Sequence, residues 1–358
     1  MKLQVDQPGL LTTVQDLGRW GYLGQGMPLA GAMDPLSLRT GNLMVGNSGD
    51  MAALEITLLG PSITVLEEEA TGVVAGADLG LAINGEKWPC WKCFTLRSGD
   101  RLTFSGPAGK GCRAYLCFSG GIEARSVMGS RSTYLRGKLG GYSGRALQKG
   151  DILTTGRPHP LWKRLQGFRC PSEMLPPLGE QNVLKAVPGP QDYLFTEKGL
   201  ETFFSSEYTI TSSADRMGYR LEGPVIEHRE GADIISDAIP PGAVQVPGSG
   251  QPIIMLADGQ TTGGYAKIAV ITSMARCALA QLLPGGSVRF QRISQKEAIS
   301  EARQMEMKLN KLKEARASFS TRQKDDKPTL IMEEEVKSGS MKLKIDEKNW
   351  DIQWELIE

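Results

Sequence analysis

Five glycine-rich stretches carry isolated charged or amide residues, and these are the residue types and spacings best suited to chemistry in this chain. Residues 12–34 read TTVQDLGRWGYLGQGMPLAGAMD, and residues 129–144 read GSRSTYLRGKLGGYSG, with Arg131, Arg136 and Lys138 inside and Arg145 just after. Residues 187–191 read VPGPQ, and residues 212–223 read SSADRMGYRLEG. The fifth, residues 235–265, concentrates Gln245, Gln251, Asp258, Gln260, Thr261 and Thr262 in one strand-turn-strand stretch. Glycine lets backbone N–H groups approach an anion closely, and an arginine fork matches two oxygens of a carboxylate or phosphate. Such loops suit a carboxylate or phosphorylated substrate. Taken singly, each loop reads first as a barrel turn; the concentration of Gln245, Gln251, Asp258, Gln260, Thr261 and Thr262 reads equally as function.

Other chemistries find less support. Cys90 and Cys93 have the spacing of half a zinc site, but no second pair with that spacing follows. The segment from Trp88 to Thr95 alternates like a strand, which predicts opposite faces for the two thiols and a structural role. His159 and His228 are the only histidines, and nothing ties either to a cysteine nucleophile. The Gly-Lys step at Gly109-Lys110 lacks the phosphate-loop spacing and its Ser/Thr, and no Gly-x-Gly-x-x-Gly opens a helix after a strand.

The bulk composition narrows the class. Forty-one basic residues balance 40 acidic ones, so whole-chain charge gives no case for nucleic-acid or membrane binding. The N-terminus reaches Asp6 before an apolar run can form, and residues 268–283 carry Arg276 and are too short to span a bilayer. Six cysteines in 358 residues do not make a disulfide framework. A cytoplasmic protein is expected.

The elements that must hold these loops are mostly strands. Forty-three glycines with 6% aromatics and frequent short alternating runs favour turns over long helices. A weak internal repeat divides the body: Asp16-Leu-Gly-Arg19-Trp-Gly21-Tyr22 in the first half, Asp215-Arg216-Met-Gly218-Tyr219 in the second. Gly60-Pro61 and Gly223-Pro224 follow them, and each half closes on a glycine turn and a strand, residues 99–104 and 286–290. Two related β-barrel-like domains are predicted, at 1–157 and 182–293, joined by a proline-rich connector at 158–181. Asp34-Pro35 predicts a helix over 36–45, and a second starts at Ser273 and stops at Pro284-Gly285. Residues 294–358 differ in character, holding 27 of the 81 charged residues but one glycine. They open with a Ser294/Glu297 capping box and an apolar stripe of Ile299, Ala302, Met305, Leu309 and Leu312. A charged linker at 321–328 leads to a β-hairpin, in which Met341, Leu343 and Ile345 face Trp350, Ile352, Trp354 and Leu356 across a turn at 346–349. The hairpin cadence is similar to the opening strands of a biotinyl domain, without the lysine motif that carries biotin.

Eight ordered segments between about Lys2 and Arg292 carry a family resemblance: TTVQDLGRWGY, PLAGAMD, GNSGDMAALEIT, FSGGIE, GSRSTYLRG, VPGPQ, SSADRMGYRLEG and the stretch from ISDAIPPG to GGYAKIAVI. The chain resembles the allophanate-hydrolase-subunit-2, or KipA, family of carboxyltransferase-type proteins, which serve in bacterial 5-oxoprolinase and in urea carboxylase. The resemblance implies a mainly β fold of two cyclophilin-like β-barrel domains. It implies a KipI-like partner and, for 5-oxoprolinase, a LamB/YcsF-like partner as well. The implied reaction opens 5-oxo-L-proline to L-glutamate with ATP as co-substrate, with no metal or biotin attached to this chain. Implied catalytic residues are Asp16, Arg19, Arg216 and Asp258, with substrate bound by Asp34, Gln245, Gln260, Thr261, Thr262 and Tyr265. Asp34 reads equally as a helix cap, and Asp16 with Arg19 as an internal ion pair. Biotin-dependent carboxyl transfer to urea or a related amide, and a non-catalytic regulator that binds a KipI-like kinase inhibitor, are the alternatives the family leaves open.

Overall fold

The computed structural model describes residues 1–176 and 182–322, and residues 338–345 and 348–355 as backbone. The first half builds two sheets. One runs Ile152–Thr154, Lys2–Gln7, Ser62–Glu67, Arg101–Phe104, Leu81–Ile83, Glu86–Lys87; the other runs Leu11–Gln15, Ala53–Thr57, Arg113–Phe118, Ala70–Gly76, Phe94–Leu96. Strand alternation explains their packing. Leu3 and Val5 from one sheet meet Leu54, Ile56, Leu116 and Phe118 from the other in one core. Ala53, Glu55, Tyr115 and Cys117, at the intervening positions, are buried as well. The five-stranded sheet is therefore covered on both faces, the second by helix α1 (Pro35–Met44) and the other half of the body.

The second half closes as a seven-stranded barrel in the order Val183–Pro188, Lys267–Ile271, Ala243–Gln245, Ile253–Met255, Gly218–Glu222, Glu207–Ile210, Ser287–Arg292. The first and last of these pair in parallel to close it. Beside it, Asp233–Ala238 and Thr262–Tyr265 form a separate two-stranded ribbon. Helices α2 (Glu197–Ser205) and α3 (Ser273–Leu279) flank the barrel, capped by the Thr196 and Thr272 hydroxyls. The mainly β reading with few helices holds. The two halves share no sheet, yet residues Met1–Thr321 pack as one unit.

Helix α4 (Gln295–Arg322) opens on the expected capping box: the Ser294 N–H donates to Glu297 Oε2 at 2.7 Å and the Glu297 N–H to Ser294 Oγ at 3.2 Å. Its stripe docks further along than the spacing predicts. Ile299 is 45% exposed and Ala302 is exposed, while Leu309 and Leu312 are buried against Leu36, Leu38, Leu43 and Met44. Arg39 of α1 forks onto Glu306 at 2.5 and 2.8 Å, and the Phe319 ring meets Phe168 at 5.2 Å between centroids. Arg322–Glu358 form a second unit, in which Ser338–Ile345 pairs antiparallel with Lys348–Glu355, Met341 opposite Ile352 and Leu343 opposite Trp350. Residues 177–181 of the connector, 323–328 of the linker, Asp346, Glu347 and Leu356 lie outside the described residues.

One local expectation is overturned. The segment holding Cys90 and Cys93 is not a strand: Trp91 takes a left-handed φ of 60°, and the strand begins at Phe94. All six cysteines are free, and five are buried. No helix among the described residues is long and apolar enough to cross a membrane.

Candidate functional site

The two halves meet over a buried chain of polar groups. Arg216 sits at the turn before the strand Gly218–Glu222, and Asp258 at the turn after Ile253–Met255. Arg216 Nε donates to Asp258 Oδ2 at 3.1 Å and Nη2 to Oδ1 at 3.0 Å. Nη1 crosses to Glu55 Oε1 in the first half, and Nη2 also reaches the Gly31 carbonyl at 2.6 Å. Glu55 Oε2 accepts from the Met33 N–H at 2.8 Å and from Tyr115 Oη at 2.7 Å. Glu55 and Tyr115 are cross-strand partners, so the sheet register itself aims both groups at the junction.

From there the chain of bonds continues. The Asp34 N–H donates to Tyr115 Oη, while the Asp34 carboxylate caps α1 through the Ser37 N–H at 3.1 Å and accepts from Gln281 Nε2 at 2.8 Å. Gln281 Oε1 accepts the Cys112 and Arg113 N–H groups, and Arg113 Nη1 donates to Tyr219 Oη at 2.9 Å. Burial opposes the Arg216 charge, but Glu55 and Asp258 outweigh it and its pKa is raised. Burial pushes the Asp258 carboxyl up, and Arg216 pulls it part of the way back.

The matching motif of the first half is built as a loop clamp. Asp16 Oδ1 accepts from the Gly18 N–H at 2.8 Å and the Ser130 and Ser132 hydroxyls at 2.7 and 2.6 Å; Oδ2 accepts from the Arg131 N–H. Arg19 is fully buried and donates through Nη2 to the Ser132 carbonyl at 2.6 Å, so Asp16 and Arg19 share a neighbour rather than pairing by hydrogen bond. Its Nε and Nη1 have no hydrogen-bond partner among the described residues, and burial lowers its pKa against the pull of Asp16 and Asp258. The two motifs share a turn cap: Asp215 accepts from the Met217 and Gly218 N–H groups as Asp16 does from Gly18, while their arginines bond differently. Close approach fixes one glycine here, since a Cβ on Gly31 would sit 2.8 Å from the Gly18 nitrogen.

The open part of the site lies on the barrel. A cleft of about 770 Å³ is lined by Asp215, Met217, Arg220, Gln245, Gln260 and Tyr265, among others. Gln245 and Gln260 converge: a Cβ on Gly263 would lie 3.0 Å from Gln245 Nε2 and 2.9 Å from Gln260 Nε2. Gln245 Nε2 also donates to the Tyr265 carbonyl at 3.3 Å. Two amides, a phenol and one arginine lining the cleft can bind a polar, planar substrate with a carbonyl or carboxylate.

The expected site residues therefore fall into three groups. Gln245, Gln260 and Tyr265 line the cleft, with Thr262 on the adjoining ribbon and Thr261 buried at its root. Arg216, Asp258 and Asp34 belong to the buried junction, and Asp16 and Arg19 to the loop clamp. Those five lie below the surface, so the geometry gives them positioning work. Sequence reasoning missed Glu55, Tyr115, Arg113 and Gln281. A lone carboxylate in the apolar run ALEIT was the available signal for Glu55. Among the described residues no group of three or more His, Cys, Asp and Glu side chains is arranged to hold a metal ion.

This architecture, a barrel and a sheet pair locked by buried charges, is that of a carboxyltransferase-type module. The family described as carboxyltransferase domain, subdomain A and B, matches residues 25–292, and the chain belongs to it. It is 36% identical over 301 residues to the 5-oxoprolinase C subunit of Haemophilus influenzae, covering 84% of this chain and 94% of that protein. It is 37% identical to the Escherichia coli protein of the same name, over 83% of this chain and 93% of that one. Among solved structures, Kluyveromyces lactis urea carboxylase superposes with a TM-score of 0.81 at 30% identity, over 87% of this chain and 29% of that chain.

Proposed function

We propose that this chain is the C subunit of an ATP-dependent 5-oxoprolinase, which opens 5-oxo-L-proline to L-glutamate. The likeness to two proteins of that name along more than nine-tenths of their length carries the reading. The chemistry fits the cleft. A five-membered lactam is a stabilised amide with a poor nitrogen leaving group, and phosphorylating its oxygen from ATP makes the carbonyl carbon open to water. A site for this must hold a carboxylate, a ring amide and a phosphoryl group with preorganised donors. Gln245 and Gln260 would hold the ring amide, with Tyr265 and Thr262 closing over it. Asp258, Arg216 and Asp34 would fix the floor. On this reading the protein is cytoplasmic and works with KipI-like and LamB/YcsF-like partners, and ATP is a substrate of the complex.

A second reading, carboxyl transfer to urea or a related amide, is favoured by the likeness to urea carboxylase. In that case biotin and its carboxylase would come from other chains. The test is a substrate comparison on the reconstituted complex. ATP-dependent loss of 5-oxoproline without bicarbonate supports the proposal; bicarbonate- and biotin-dependent consumption of urea, with 5-oxoproline untouched, replaces it.

A further inference from the structure

The strand register lays out the floor of the barrel cleft in rows. Gln245 pairs with Ile253, and Ile253 pairs with Arg220, so the three stand side by side across the strands Ala243–Gln245, Ile253–Met255 and Gly218–Glu222. Cross-strand partners share a face of the sheet. The neighbouring row, Val244, Ile254 and Tyr219, packs into the barrel core. The row of Gln245, Ile253 and Arg220 therefore turns the other way, into the cleft that all three line. Adjacent strands lie about 4.8 Å apart, which sets the amide-bearing and guanidinium-bearing residues about 10 Å apart at their backbones, with Ile253 between them.

Arg220 is exposed, and among the described residues it is the one basic side chain that lines the cleft. Two acids share that lining. Asp215 spends Oδ1 on the Met217 and Gly218 N–H groups at 2.8 and 3.2 Å, and Glu222 stands one row further along the strand, opposite Thr209. An anion is thus favoured only where it meets the guanidinium directly, and an arginine fork matches both oxygens of a carboxylate. We propose that Arg220 is the specificity-determining residue of the cleft. It takes the carboxylate of a small cyclic amide acid, whose ring lies over Ile253 and whose ring amide meets Gln245. The ligand's identity as 5-oxoproline rests on the functional reading above; the placing of its charge rests on the strand register.

Calorimetry on the assembled complex compares 5-oxoproline with 2-pyrrolidinone, the same lactam without its carboxylate. The wild type should bind 5-oxoproline about 10-fold or more tighter. Arg220→Met should bring the two within about 2-fold by weakening 5-oxoproline alone, and Arg220→Lys should restore part of the preference. Because Arg220 is exposed, both variants should keep the wild-type melting temperature. A methionine variant that still discriminates, or that loses affinity for both ligands equally, overturns the assignment. Discrimination through Arg220 without glutamate release would sink the oxoprolinase reading alone. Glutamate release by a complex that ignores the carboxylate would sink this assignment alone, and a wild type that binds neither ligand sinks both.

Discussion

Arg216 and Glu55 stand 161 positions apart in the chain, yet Nη1 of the arginine donates to the glutamate's Oε1 with both side chains buried. The halves of the body are thus joined by charge as well as by apolar contact. Such a junction stabilises little relative to an apolar one, but it is costly to break from one side and it fixes one mutual orientation.

The first prediction concerns that arginine. Arg216→Ala leaves Glu55 and Asp258 buried without their cation and should cost about 3–5 kcal/mol. Arg216→Lys keeps the charge but cannot serve Glu55, Asp258 and the Gly31 carbonyl together, so it should cost roughly 1–3 kcal/mol. Urea unfolding measures both; a lysine variant as stable as wild type contradicts the hub role.

Asp16 holds four donors from two loops. Asp16→Ala should free residues 129–144, seen as fast amide exchange there and early proteolysis, with about 2–4 kcal/mol lost for the stranded donors. Unchanged exchange in that loop would show that the clamp is not needed.

Helix α4 is held by few side chains. Leu312→Ala, at a fully buried position, should cost about 2–5 kcal/mol of helix docking, whereas Ile299→Ala, half exposed, should cost under about 1 kcal/mol. Equal effects would mean that the helix does not dock as described.

The cysteines set a pH dependence. Burial raises all six thiols, Cys90 and Cys170 to about 12 from the ordinary 9.0. A group whose folded pKa is raised contributes fully below the unfolded value and loses that contribution as pH climbs toward the folded one. Stability should therefore fall between about pH 9 and 12, and the five buried thiols should resist a disulfide reagent at pH 8 until the chain unfolds. A flat stability profile across that window would contradict their burial.

Much of the fold was legible because its signals are local. Asp34-Pro35 announces α1, Ser294 with Glu297 announces α4, and alternation announces the hairpin. The aspartate-arginine-glycine-tyrosine repeat marked the turn that carries Arg216 into the junction and the turn that builds the loop clamp. The Trp88–Thr95 misreading arose because alternation cannot reveal a left-handed residue at Trp91. For the site, the amides of 245–265 were visible as a cluster. Glu55, Tyr115 and Gln281 were not, since their role depends on pairing between segments remote in sequence.

The central claim is tested most directly by measuring glutamate released from 5-oxoproline and ATP by this chain assembled with its KipI-like and LamB/YcsF-like partners, leaving out each component in turn. The account predicts release that needs all three chains and ATP, and that falls about 10-fold or more on Gln245→Ala while the complex stays assembled. An intact complex that releases no glutamate, or release that proceeds undiminished without this chain, contradicts it.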